Sequence, residues 1–248
     1  MTKKLLLIDG NSLAFRAFYA MYNQLDRMIS HKGLHTNALV AFNNFLDQIV
    51  DPMQPDLAVV AWDAGSGKTT FRGELFSEYK DGRSKAPSEF TEQFPYLREM
   101  VALHGLRNYE QPGLEADDII GTFSRMGEHA GYNVIIVTGD QDLTQLATDN
   151  ITVNVTKKGV TEIEAFTPDY IMEKFELTPS QIIEKKALTG DTSDNYPGVT
   201  KIGEKTALKL LKTYHDIDNL YSHIDDMKPS KMKENLISDQ ASAFRARQ

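Results

Sequence analysis

The sequence predicts an α/β fold built on a mostly parallel sheet flanked by helices. Three observations carry that expectation. The runs KLLLID, LAVVAW and NVIIVT are short, apolar and rich in branched side chains, as buried strands are; stretches with apolar residues at helical spacing follow them; and strand and helix alternate until about residue 170.

Residues 4 to 9 read as a buried strand, and SLAFRAFYAMY as the helix packed after it. TNALVAFNNFLDQIV repeats the helical spacing ahead of LAVVAW, the second strand. From Ala64 to Glu89 the pattern fails. That stretch is Gly-rich and basic, without a sustained apolar face, so it is expected to be a flexible basic segment beside the site. FTEQFPYLREMVALHG reads as helical, LRNYE as a short strand, and EADDIIGTFSRMGEHAG as a helix with three acids in its first turn. NVIIVT is the next strand, QDLTQLA a helix, and NITVNVT with GVTEIEAF a hairpin. Beyond Thr167, TPDYIMEKF, TPSQIIEKKALTG and EKTALKLLKTY form short helices that open on Ser, Thr or Pro, with NYPGVTKIG as a turn among them. KMKENLISDQASAFRARQ reads as helix and stops without a capping signal, as expected where a larger protein continues. The boundary is placed near residue 170, between an α/β core (1–170) and a helical region (171–248).

The 248 residues contain no cysteine, which excludes a disulfide scaffold and thiolate metal sites and suits a reducing cytoplasm. Asp9 breaks the first apolar run too early for a signal peptide or membrane span. The net charge of −8 argues at first against a nucleic-acid partner. Setting aside nine clustered acids, however, leaves 26 of the 35 Asp and Glu against 27 Lys and Arg, so the acidity is local. Basic residues bunch in Lys68, Arg72, Lys80, Arg83 and Lys85, and again in Lys201, Lys205, Lys209 and Lys212; such patches, rather than the total charge, govern phosphate binding.

Those nine acids are Asp9, Asp63, the triplet Glu115, Asp117 and Asp118, the pair Asp140 and Asp142, and the pair Asp191 and Asp194. Three of the groups end strand-like runs, and in an open parallel sheet ligands sit outside the carboxyl ends of the strands. Carboxylates 4 Å apart repel by about 1 kcal/mol in water and several times more in an interior-like medium. A cation is needed to hold them, and with no cysteine or histidine in any group the ligand set is all oxygen, which favours Mg²⁺ or Mn²⁺ in a count sufficient for two ions. Taken singly, each acid also reads as a turn former or helix cap, Asp140 ahead of QDLTQLA above all.

GSGKTT at residues 65–70 follows a strand as a phosphate-cradling loop would, but Trp62 stands where that pattern needs glycine. LLLIDGNS lacks the second aspartate of a phosphoaspartyl phosphatase, so Asp9 is read as a ligand rather than a nucleophile. GVTKIG, with Gly198 and Gly203 around a lysine-containing turn, is a helix-hairpin-helix pattern; its glycines admit phosphate oxygens and the following helix N-terminus offers N–H groups to an anion.

LLLIDGNSLAFRAFYA, AVVAWDAG with FRGELFSEYKDGR, PGLEADDIIGT, VIIVTGDQDLTQL and KALTGDTSDNYPGVTKIGEKTALKLL, in that order, resemble the 5′ nuclease domain of bacterial DNA polymerase I, in the flap endonuclease family. The similarity spans essentially the whole chain. It implies a PIN-like core, a helical arch across residues 64–90, and a C-terminal helix-hairpin-helix region, its turn at 196–206, that binds duplex DNA, often with K⁺ at the turn. All nine acids match family metal positions. Glu115, Asp117, Asp9 and Asp63 are expected on a first ion, Asp140, Asp142 and Asp191 nearer a second, and Asp118 and Asp194 through water. Lys80 and Arg83 match arch residues that engage the scissile phosphate. Tyr19 resembles a stacking residue, with Tyr79 a weaker candidate. Arg72 and the turn residues Gly198, Val199, Lys201, Ile202, Gly203, Lys205 and Thr206 are expected to contact DNA.

The function expected is hydrolysis of DNA phosphodiesters at 5′ ends and flaps, including RNA primer removal, by a cytoplasmic monomer fused to or working with a DNA polymerase. Two other classes compete: a DNA junction-binding module whose ions are structural, and a PIN-type ribonuclease.

Overall fold

The computed structural model describes residues 2–65 and 69–247; residues 66–68, the middle of GSGKTT, lie outside them. Two compact units divide the chain: residues 1–71 with 84–167, and residues 72–83 with 168–248.

In the first unit, strand β1 (Lys4–Asp9) leads straight into helix α1 (Gly10–Ala20). Helix α2 (Asn37–Phe45) runs into a π-helical stretch, Leu46–Val50, and the single turn α3 (Asp51–Met53) before β2 (Leu57–Ala61). Inside the segment expected to lack regular structure, α4 (Phe71–Leu75) is a short helix whose residues from Arg72 onward belong to the second unit. The helical run after it is two helices, α5 (Ser88–Thr91) and α6 (Phe94–Leu103). Pro95 in the first turn of α6 lacks an N–H and its ring blocks the preceding carbonyls, so the helix cannot run through. Gln93 at the break is fully buried, and its amide oxygen accepts from the N–H groups of Ala38 and Leu39 at the start of α2. There follow β3 (Arg107–Tyr109), α7 (Ala116–His129), β4 (Asn133–Thr138), β5 (Ile151–Lys158) and β6 (Glu162–Phe166). QDLTQL is helical but of the tighter 3-10 kind.

Six strands form one sheet in the order β3-β2-β1-β4-β5-β6. All neighbours are parallel except the β5-β6 hairpin. The order runs outward from β1 to β3 on one side and from β4 on the other, so the topological switch lies between β1 and β4, where a crevice opens at the strand ends. Leu6, Ile8, Val60 and Val137 of these central strands are buried against Phe18, Phe42, Phe45, Trp62 and Phe90. Branched side chains favour the pleated, doubly covered strand, and the aromatic payload fixes the helices on it.

The second unit is helical: α8 (Pro168–Phe175), α9 (Pro179–Thr189), α10 (Glu204–Tyr214), α11 (Ile217–Ser222), α12 (Lys231–Ser238) and α13 (Gln240–Arg247). The last helical stretch of the sequence is thus two helices. Asp239, between them, accepts from the N–H of Thr200, while Asn235 donates to the Thr200 carbonyl, so the break serves a contact that sequence spacing does not reveal.

Candidate metal centre

Four of the five acidic groups lie in the first unit, at the carboxyl ends of parallel strands. Asp9 is the last residue of β1; Asp63 and Asp140 lie two residues beyond β2 and β4; the triplet opens α7 after β3. Each is held by local backbone as well. Asp9 caps α1 by accepting from the Ser12 N–H at 2.9 Å. Asp140 caps the 3-10 helix by accepting from the Asp142 N–H. Glu115 and Asp118 form a reciprocal capping box on α7. Asp63 accepts from the N–H of Ala116 at the start of α7, at 2.8 Å, and its own N–H donates to Asn11. The capping role is therefore real for Asp9, Glu115, Asp118 and Asp140. Helix N-termini also carry partial positive charge, which offsets some of the repulsion among the carboxylates.

Asp9 and Asp140 flank the switch point. Asp9 is buried, and its carboxyl is pushed from 3.8 up to about 7, first by burial and further by the charges of Asp63 and Asp140; the bonds from Ser12 and Thr138 oppose the rise. A divalent cation beside it would supply the positive charge that favours its ionised form against burial and its acidic neighbours. The donors are all oxygen, which fits Mg²⁺ or Mn²⁺ rather than a softer metal.

Asp191 and Asp194 lie in the second unit. Burial works against ionisation of Asp191, but Lys186 and the Ser193 hydroxyl and N–H outweigh it and hold the carboxyl below its ordinary value. Arg83 pairs with Asp194 at 2.6 Å and donates from Nε to the Ser193 carbonyl. Tyr79 donates its hydroxyl to Asp194, and the Lys80 N–H donates to the Asp194 carbonyl. Lys80 is half-buried with φ 56, and its ammonium lies 4.8 Å from the centre of the Tyr79 ring. The ring of Tyr79 is buried and lies against Tyr196, in the same loop as Asp194. Arg72 is half-buried.

In the GVTKIG turn, Gly198 and Lys201 both take φ 62. The side chains of Val199 and Ile202 are buried, and the Val199 N–H donates to the Leu188 carbonyl. Lys201, Gly203 and Lys205 are exposed and Thr206 is half-buried, with Gly203 capping α10. Tyr19 on α1 is 54% exposed, beside exposed Phe15 and Tyr22.

Sequence reasoning passed over Asn11, Ser12, Thr138 and Lys186, which hold the acids in place. DGNS and VTGD, the polar residues immediately around Asp9 and Asp140, carry the signal for Asn11, Ser12 and Thr138, while Lys186 lies outside both. It also placed no histidine among acids, yet His104 joins Asp47 and Asp51 in a trio whose ligand atoms lie within 4.8 Å of one another. That trio contains none of the nine acids, and its two aspartates are exposed. Among the described residues no helix is long and apolar enough to cross a membrane.

A family model for the 5′-3′ exonuclease N-terminal resolvase-like domain matches residues 4–176, and one for the 5′-3′ exonuclease C-terminal SAM fold matches residues 177–248. DNA polymerase I of Lactococcus lactis subsp. lactis is 55% identical over 247 residues, 99% of this chain; the chain spans 28% of that relative's length. Among solved structures, the T5 5′-exonuclease with bound zinc superposes with a TM-score of 0.77 at 22% identity, covering 99% of this chain and 88% of that one. The bacteriophage T5 flap endonuclease in a pseudo-enzyme-product complex with DNA and metal ions gives 0.75 at 22% identity with the same coverage. At such identity these two likenesses speak for the fold.

Proposed function

The chain belongs to the 5′-3′ exonuclease family, and on that premise we propose that it hydrolyses DNA phosphodiesters at 5′ ends and 5′ flaps with the help of divalent metal ions. The observation that carries the reading is the buried Asp9 carboxyl, set at the switch point of a parallel sheet with Asp63 and Asp140 near enough to raise its proton affinity. A structural aspartate gains nothing from such company; a metal ligand does.

Asp9, Asp63, Glu115, Asp117, Asp140 and Asp142 would hold Mg²⁺ or Mn²⁺ in the first unit, with Asp118 acting through water. When bound, such ions supply an activated water and charge neutralisation at the leaving oxygen. In the second unit, where an ion would compete with Lys186 and Arg83, Asp191 is a proposed ligand and Asp194 would act through water. Released from Asp194, Arg83 would join Lys80 in neutralising the scissile phosphate. The exposed Lys201 and Lys205 and the N-terminus of α10 would grip duplex backbone, with K⁺ at the turn, and Tyr19 would stack an unpaired base. The products would carry a 5′ phosphate and a 3′ hydroxyl, and a polymerase region is the proposed partner, on the same chain or acting beside it.

A labelled 5′ flap incubated with the protein, with Mg²⁺ or with chelator, tests the proposal. Metal-dependent release of short 5′ products is expected. Binding without cleavage would leave a junction-binding module, and preferential cutting of a matched RNA would leave a ribonuclease.

A further inference from the structure

Thr138, the last residue of β4, is fully buried and carries one hydroxyl with two partners. It donates to Asp9 Oδ2 at 2.7 Å, across 129 residues of sequence, and accepts from the N–H of Asp140 at 3.0 Å. An amide N–H can only donate, so the hydroxyl accepts from Asp140, and toward the ionised Asp9 carboxylate, which can only accept, it donates. β1 and β4 are neighbours with Ile8 opposite Val137, which brings Asp9 and Thr138 level at the strand ends. One small side chain therefore ties together the two acids that flank the switch point.

Side chains of α1 hold the intervening residue. The Gly139 N–H donates to Ser12 Oγ at 3.1 Å, and Arg16 donates to the Gly139 carbonyl at 3.3 Å and to the Lys157 carbonyl at 3.0 Å. A Cβ at Gly139 would lie 2.6 Å from both Arg16 Nε and Ser12 Oγ, so this approach requires glycine. Gly139 is thus gripped at both its N–H and its carbonyl, and Thr138 ties the next residue's N–H directly to the Asp9 carboxyl.

We propose that Thr138 is a positioning residue of the metal centre, whose hydroxyl sets the Asp9 carboxylate and the Asp140 backbone in fixed relation so that both meet a divalent ion without rearrangement. The role rests on the metal-dependent reading above. Groups that orient metal ligands typically change metal affinity when removed, while a residue that only packs changes stability. Valine keeps the shape of threonine but loses the hydroxyl; serine keeps the hydroxyl and loses the methyl.

The test measures Mn²⁺ binding by electron paramagnetic resonance, thermal unfolding, and single-turnover flap cleavage across a Mn²⁺ titration, for wild type, Thr138→Val and Thr138→Ser. Thr138→Val should bind Mn²⁺ about 10-fold or more weakly, as lost second-layer contacts do, and need correspondingly more metal for half-maximal cleavage. Thr138→Ser should recover most of that loss even where its melting temperature falls. If Thr138→Val does not fold, Thr138→Ala replaces it in the same comparison with Thr138→Ser. Wild-type Mn²⁺ affinity in the hydroxyl-free variant, or equal loss in both variants, would overturn the role of Thr138 while leaving the nuclease reading in place. Wild-type protein that neither binds Mn²⁺ nor cleaves the flap would remove that reading, and the role with it.

Discussion

Exchange of Asp9 for Asn in metal-free protein should change how stability responds to pH. Burial, then the charges of Asp63 and Asp140, lift the Asp9 carboxyl from 3.8 to about 7 in the folded state. Below about pH 4 both folded and unfolded chains hold the proton, and the group costs nothing. Between about pH 4 and pH 7 the unfolded chain gives it up and the folded chain does not, so folding loses ground as pH rises; above about pH 7 the full cost is present. About three pH units at about 1.4 kcal/mol each give a total of about 4 kcal/mol, of which about 3 kcal/mol falls between pH 5 and pH 8. Urea unfolding of chelator-treated protein at those two pH values, for wild type and Asp9→Asn, reads the removal of this carboxyl from the cluster it shares with Asp63 and Asp140. An Asn amide cannot accept from both Ser12 and Thr138, but that loss is constant with pH and drops out of the comparison. The stability of Asp9→Asn relative to wild type should rise by about 3 kcal/mol from pH 5 to pH 8. Profiles that stay parallel would refute the claim that this carboxyl is desolvated and crowded by its neighbours. Mn²⁺, by favouring the ionised form, should flatten the decline in wild type alone.

Asp140→Asn should abolish flap cleavage in Mg²⁺ while DNA binding, followed by fluorescence anisotropy, stays measurable; retained turnover would remove Asp140 from the metal set. Lys80→Ala should slow the single-turnover rate more than it weakens binding, and an unchanged rate would exclude the lysine from transition-state stabilisation. Tyr19→Ala should weaken affinity for a flap with unpaired bases by about 1 to 3 kcal/mol and leave affinity for blunt duplex unaltered. Gly198→Ala places a Cβ 2.2 Å from the Gly190 nitrogen at φ 62, so urea unfolding should show a loss of about 2 to 3 kcal/mol, as for overpacked cores; a loss below half that would mean the turn can open.

Much of the site was legible because its signals are local. An acid that follows an apolar strand points, in a parallel sheet, to the strand's carboxyl end, so Asp9, Asp63 and Asp140 announce themselves one by one, as do the triplet at the start of α7 and the glycines of the hairpin turn. Strand and helix periods are local as well, which is why β1, β2, β4 and α7 lie where the pattern put them. One helix break is marked locally by Pro95, but Asp239 interrupts helical spacing where distant backbone at Thr200 uses its side chain, which no local pattern signals.

Composition and spacing, by themselves, determined the alternating α/β core, the helical region after it and the identity of the acids, since these follow from which faces must leave water and which residues cap the elements. Tertiary structure alone decided the strand order that seats Thr138 between Asp9 and Asp140, the burial that raises the Asp9 carboxyl, and the use of Tyr79 and Arg83 to hold Asp194. The reason is physical: a side chain's proton affinity and its freedom to meet a ligand depend on neighbours that arrive from far along the chain, and no local pattern encodes who those neighbours will be.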